Sequence, residues 1–124
     1  MKKAVLLFFF SLYCSLLYAQ SEFTIFFKED AYGLKNATGE ILIPANYDSL
    51  GWSEGLQIPI DDVIGYYVNN WGLLSLKNNR ITEPKYYHLW AFHKGLIIAS
   101  VKGKFSNHLF YGVLNSKGQA IVEF

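Results

Sequence analysis

One cysteine, Cys14, one methionine and three prolines are all that the 124-residue chain carries of those three residue types. A lone cysteine excludes an intrachain disulfide, so the fold must be held by packing. An excess of charge of one sign is also missing, because eleven Lys and Arg face ten Asp and Glu. Without a basic surplus, nucleic acid is not an expected partner. No apolar run reaches the roughly 20 residues that a membrane-spanning helix needs. The longest, Ala4 to Leu17, follows Lys2 and Lys3 and precedes Ala19, Gln20 and Ser21. That order of charge, apolar stretch and small residue is the pattern of a secretory leader. Residues 1–19 are therefore expected to be a helical signal peptide, and residues 20–124 a secreted or periplasmic domain. Cleavage removes Lys2, Lys3 and Cys14 and leaves nine basic residues against ten acidic ones, so neither a stable membrane span nor attraction to anionic lipid is expected. Lipid anchoring at Cys14 is disfavoured, since Ser11, Leu12 and bulky Tyr13 precede it.

What is abundant is apolar and aromatic: 52% of the residues are hydrophobic and 18% are Phe, Trp or Tyr. That is enough for the core of one ordinary domain. The chain also repeats itself. Tyr32-Gly33, Trp71-Gly72 and Tyr111-Gly112 lie 39 and 40 residues apart, and Pro44 and Pro84, Tyr47 and Tyr87, and Gly55 and Gly95 each lie 40 apart. Repeats are assigned near 32–70, 71–110 and 111–124, the last cut short at Phe124, with 23–28 as a preceding strand. Each reads as an aromatic-Gly strand, a polar tip (Asn36 to Gly39, Lys77 to Asn79, Ser116 to Gly118) and an apolar returning strand, which is hairpin patterning. Pro44 and Pro84 are expected to end the returning strands. Further strands are expected at Leu56 to Ile60 and Leu96 to Val101, and Phe23 to Phe27 is matched with Ile64 to Val68 and Asn107 to Tyr111. No segment of the domain holds a helical period over three turns. The expected fold is all-β, with antiparallel hairpin repeats forming a closed or nearly closed sheet in which Phe23 to Phe27 pairs with or near Ile121 to Phe124, removing two exposed edges. A full propeller would need more blades than this length supplies.

The recurring aromatic-Gly pair, the Gly-bearing polar turn, the Pro-x-x-Tyr element and the following Gly-Leu strand together resemble the WG-repeat family of bacterial exported proteins. Trp71-Gly72 matches most closely, Tyr replaces Trp at 32 and 111, and the Asp that usually follows the Tyr is present as Asp48 but is His88 in the next repeat. The resemblance implies an all-β, non-catalytic repeat module and carries over no catalytic residue. Tyr32, Gly33, Trp71, Gly72, Tyr111, Gly112, Pro44, Pro84, Tyr47 and Tyr87 become the structural anchors of the repeat. Tyr32, Trp71 and Tyr111 are expected to act as core wedges between neighbouring repeats.

Chemistry-bearing patterns are sparse. His88, His93 and His108 fit no metal-ligand spacing, and Asp61-Asp62 before Gly65 lacks calcium-loop spacing and reads as a solvated turn. Asn36-Ala37-Thr38 matches a glycosylation acceptor but coincides with the first hairpin tip. No nucleophile motif or phosphate-cradling glycine run occurs, so no catalytic residue, metal site or cofactor is expected. The leading functional expectation is a non-catalytic exported module that binds a protein partner in the cell envelope or outside the cell, through strand edges or a sheet face. The alternative is a glycan or cell-wall binder using Trp52, Trp90, Tyr66 and Tyr86 as an exposed stacking surface. A fragment of a longer repeat protein is a third possibility.

Overall fold

Ten short strands and no helix make up residues 22–124, the part of the chain that the computed structural model describes. The expected leader, with Cys14, lies outside the described residues. The strands are β1 (Phe23–Lys28), β2 (Ala31–Asn36), β3 (Ile41–Tyr47), β4 (Ser49–Gly51), β5 (Val63–Val68), β6 (Asn70–Ser75), β7 (His88–Ala91), β8 (Ile97–Lys102), β9 (Leu109–Leu114) and β10 (Ala120–Val122). All pair antiparallel, in three separate sheets ordered β1-β2-β3, β4-β5-β6 and β7-β8-β9-β10. The expected closed sheet does not form: β1 pairs with β2 and β10 with β9, so Phe23 to Phe27 and Ile121 to Phe124 belong to different sheets. The reason lies in the connections. Each sequence repeat leaves one sheet after its returning strand and enters the next, which places whole sheets in a row instead of extending one.

Two cores fill the gaps in that row. Leu34 and Ile43 of the first sheet meet Leu50, Ile64, Tyr66 and Leu74 of the second. Val63 and Leu73 on the opposite side of the second sheet meet Leu89, Ile97, Ala99 and Leu114 of the third, with Trp52 and Tyr86 between them. Period-two alternation does this sorting: in β5, Ile64 and Tyr66 point back to the first sheet and Val63 points on to the third. The junction of the second and third sheets is also tied by hydrogen bonds. The Ser53 amide donates to the Leu89 carbonyl at 2.8 Å, and the Leu89 amide donates to Ser53 Oγ at 2.8 Å.

The hairpin tips expected from sequence are present and share one geometry. Asn36, Ser75 and Asn115 each accept amide hydrogen bonds on their side-chain oxygen from the residues two and four positions later, at 2.9–3.3 Å. The residue three positions later has positive φ in every copy: Gly39 at 86°, Asn78 at 62° and Gly118 at 77°. Asn and Gly tolerate that conformation, and the bonds that Asn36 Oδ1 accepts from the Thr38 and Glu40 amides account for asparagine at 36 without recourse to glycosylation.

The anchor glycines have a different purpose. Gly33 faces Phe26 and Gly72 faces Tyr66 across their hairpins. A Cβ on Gly33 would lie 2.5 Å from the Phe26 ring, and one on Gly72 would lie 2.7 Å from the Tyr66 ring. In the third sheet the cross-strand partner is Ala99. There the space over Gly112 is taken from the other side by the Phe124 ring, 3.0 Å from a Cβ at that position. Each of these three anchor glycines is thus the floor for a ring, a close approach that only the absence of a side chain allows.

Several expected details are corrected. Pro44 does not end a strand: it lies inside β3, in a bulge where residues 44–46 stand opposite Gly33 between the pairs Leu34–Ile43 and Tyr32–Tyr47, so its missing N–H is harmless. Residues 80–86, which include Pro84, form isolated bridges Leu74–Arg80 and Trp71–Tyr86 in place of a strand. Those bridges set the register. Trp71–Tyr86 repeats Tyr32–Tyr47, so the tyrosine equivalent to Tyr47 is Tyr86, and Tyr87 is displaced from the anchor role. The wedge role also shifts. Tyr32 and Trp71 are only partly buried and Tyr111 is 54% exposed, while Leu34 and Leu73, two residues on, reach the core.

Leu56 to Ile60 is not a strand, because Pro59 and the turn at Asp61 and Asp62, with φ of 47° and 63°, interrupt it. Its expected counterpart does form, as β8. By register β8 corresponds to β5, with Tyr67 and Ser100 facing Trp71 and Tyr111, so a loop that precedes the strand in one repeat (57–62) follows it in the next (103–108).

Gly72→Ala tests the ring-on-glycine contact. The Tyr66 ring has no room to yield, being buried with its hydroxyl donating to the Thr82 carbonyl at 2.8 Å. Overpacking there is expected to cost about 1–3 kcal/mol and to lower the melting temperature by roughly 5–20 °C. Gly39→Asn, at an open tip position where the second repeat already has Asn78, is expected to leave the melt nearly unchanged.

Candidate functional site

Among the described residues the row of sheets has two outer faces, and their surfaces differ. Register equates Thr24, Phe26, Lys28 and Lys35 of the first sheet with Ile64, Tyr66, Val68 and Leu74 of the second and with Ile97, Ala99, Val101 and Leu114 of the third. In the second and third sheets these positions pack against the preceding sheet. In the first, where no sheet precedes among the described residues, three of the four are Thr or Lys, and Lys35 Nζ lies 5.0 Å from the centre of the Phe26 ring. The first end is a lysine-bearing cap, with Ile41, 58% exposed, opposite Lys35.

The other end keeps its apolar side chains. Leu89, Ala91, Ile97, Ala99, Val101 and Leu114 point inward, so Trp90, Ile98, Tyr111 and Val113 point outward by alternation. Their register equivalents in the second sheet include Trp71 and Leu73, and Leu73 is fully buried under the third sheet. Trp90 and Tyr111 stack at 6.0 Å across the strand between them. Phe92 adds to this end. Its amide donates to the Leu96 carbonyl at 2.9 Å just as the Trp52 amide donates to Leu56, so the two residues are equivalent, yet Trp52 is 2% exposed and Phe92 is 63% exposed.

A second feature lies at the junction of the second and third sheets, beside the β5–β6 turn. An open cleft of about 390 Å³ is lined by Ser49, Tyr67, Asn69, Asn70, Trp71, Tyr87 and His88. Tyr67 and Trp71 tilt together at 5.3 Å, and the Tyr87 ring meets His88 edge-on at 4.5 Å. Lys102 Nζ sits 4.6 Å from the centre of the Tyr87 ring. The lining is aromatic and amide-bearing, with no carboxylate, lysine or arginine.

The structure separates the residues that composition had grouped as a stacking surface. Trp52, Tyr66 and Tyr86 are interior, which corrects the expectation that they are exposed. Trp52 Nε1 donates to the Ile58 carbonyl at 2.8 Å, and Tyr86 is 3% exposed. Burial pushes both the Tyr66 and the Tyr86 hydroxyls above the ordinary tyrosine pKa. Trp90 alone of the four reaches the surface, half-buried. Tyr87, expected as an anchor, is 41% exposed and lines the cleft. Phe92, Ile98, Val113, Tyr67, Asn69 and Asn70 were not singled out by the sequence patterns. The signal that finds the first three is the contrast between equivalent strand positions, which needs the pairing register.

His88 Nδ1 lies 3.4 Å from Ser100 Oγ, which accepts the His88 amide at 3.1 Å. Asp61 and Asp62 form an exposed two-residue turn closed by reciprocal bonds between Ile60 and Val63. Among the described residues no group of three His, Cys, Asp or Glu side chains converges to hold a metal ion.

Comparison with known proteins returned one family. The model of the WG containing repeat matches residues 32–57 and 71–105. No curated protein and no solved structure matches the chain. The two matched segments open on Tyr32 and Trp71, the residues just before the ring-covered glycines of the first and second sheets. The aromatic-glycine pair, the shared tip geometry and both matched segments lead to one assignment: the chain belongs to the WG-repeat family.

Proposed function

We propose that this chain is a non-catalytic, exported interaction module that binds a protein partner in the cell envelope or outside the cell. The observation that carries this reading is the outward face of the third sheet. Tyr111 and Val113 keep the apolar character that Trp71 and Leu73 have where the third sheet covers them, and Trp90 and Ile98, with Phe92 beside them, add large apolar side chains where the second sheet has Gly51 and Gly65. An apolar patch of this kind on a lysine-capped stack is a binding surface in waiting. Export is supported by the order of Lys2, Lys3, the apolar run and Ala19 in the sequence. The absence of nucleophile and phosphate-loop motifs in the sequence supports a role in binding over catalysis.

A second reading has an observation of its own. The cleft of Tyr67, Trp71 and Tyr87 with Asn69, Asn70 and Ser49 offers ring faces and neutral hydrogen-bonding groups together. That combination suits an uncharged sugar, whose C–H faces stack on aromatics while its hydroxyls bond to amides. The binding elements of this reading differ from those expected from sequence, of which only Trp90 is accessible.

Two measurements test these readings. Cross-linked capture from the envelope with the mature chain and with Tyr111→Lys is expected to recover a dominant protein with the former and to lose it with the latter. Equal recovery with both would contradict the assignment of the face. Titration of neutral envelope polysaccharides is expected to shift indole emission in the parent chain and not in Trp71→Leu if the cleft binds sugar. An unchanged spectrum throughout removes the second reading.

A further inference from the structure

We infer that the partner of the third sheet's outer face is a second copy of this chain, the two pairing back to back about a twofold axis. This rests on the reading of that face as the binding surface and names its occupant.

The internal junctions supply the template. In both, an outward row of side chains on one sheet is covered by the inward row of the next: Leu34 is buried by the second sheet and Leu73 by the third. Val113 stands at the same register position as these two leucines, and Ile98, Trp90 and Tyr111 flank it. Such a surface is satisfied by another apolar sheet face, since sheets pack face to face through interdigitating side chains.

Two copies could in principle meet head to tail or back to back. Head to tail would set this face against the first sheet of the next copy, where Thr24, Lys28 and Lys35 stand in place of Ile64, Val68 and Leu74. That arrangement would bury the ammonium groups of Lys28 and Lys35 against Trp90, Ile98, Tyr111 and Val113, which offer no carboxylate, with only Glu29 beside Lys28 on their own sheet, a costly desolvation. Back to back puts Trp90, Ile98, Tyr111 and Val113 of one copy against the same residues of the other and leaves both lysine-bearing caps in water. The contact is self-complementary and closes at two copies, whereas the head-to-tail contact would continue into a filament. Lys102, at the end of the outward row of β8 and over the Tyr87 ring, stays at the rim of the pairing.

Sedimentation equilibrium of the exported chain, purified as its own cells release it, is the test. The expected result is a monomer–dimer equilibrium with no larger species. Val113→Lys and Ile98→Lys are each expected to weaken it by at least about tenfold, because each would bring two unpaired ammonium groups into the apolar contact. Thr24→Lys, on the opposite cap, is expected to leave the dimer unchanged. Circular dichroism melts of the variants establish that each is folded, and Tyr111→Lys, at a largely exposed position, replaces any that is not. Species that grow with concentration past the dimer, or a dimer indifferent to the face variants, would overturn the inference. A strictly monomeric chain would overturn it as well. If that monomer still captures another protein through Tyr111, self-pairing falls while the binding role of the face stands; if Tyr111→Lys changes nothing, both fall together.

Discussion

An aromatic ring laid on a strand glycine is the contact on which the rest of this molecule depends. Tyr66 over Gly72 illustrates why. The ring occupies the space that a Cβ on Gly72 would fill, and its hydroxyl donates to the Thr82 carbonyl in the irregular segment that follows the hairpin. One side chain therefore joins the β5–β6 hairpin to the returning segment and contributes to the core against the first sheet. Tyr47, 5.3 Å from the Tyr66 ring, extends that contact across the junction. Phe26 over Gly33 makes the same contact in the first sheet. In the third, Ala99 takes the ring position, and Phe124 covers Gly112 from the opposite side. The same constraint is thus met by different residues, which accounts for a repeat that recurs in position more strictly than in residue type.

The parts of this fold that were legible in the sequence are those fixed by local chemistry. Positive φ three residues into each tip favours Gly or Asn, and a ring-covered strand position requires Gly; both leave a residue type at a fixed spacing. The parts that were not legible depend on partners distant in sequence. Tyr86 and Tyr87 are adjacent, and Pro84 pointed to Tyr87 through the Pro-x-x-Tyr spacing, yet the bond between the Trp71 and Tyr86 backbones selects Tyr86. Trp52 looked available for stacking until the third sheet, tied to Ser53 through Leu89, covered it. The exchange of loops 57–62 and 103–108 around the same strand hid the equivalence of β5 and β8, because a fixed 40-residue register pairs the wrong segments there. The expected closed sheet failed for a related reason: pairing of the terminal strands looked attractive as protection of edges, but the connections between sheets had already assigned those strands to opposite ends of the row.

That row has two unlike outer faces among the described residues. Thr24, Lys28 and Lys35, at positions that are apolar in the other sheets, make the outer face of the first sheet the more polar of the two, with Ile41 among them. The third sheet has no such substitutions among Trp90, Ile98, Tyr111 and Val113. The interior tyrosines and Trp52 serve the fold, while Trp90, Tyr111 and Phe92 lie at this end face and Tyr67, Trp71 and Tyr87 at the cleft. It is the register of the strands, more than the abundance of aromatic residues, that distinguishes this end face and the cleft from the core.

The most direct measurement of the ring-on-glycine contact is the proton chemical shift of the Gly72 Hα atoms in solution. A tyrosine ring resting on that glycine shields at least one of them, so the account predicts a marked upfield displacement that disappears in Tyr66→Leu. Ordinary glycine shifts at position 72, the same in both proteins, would show that Tyr66 does not lie there and would contradict the account at its foundation.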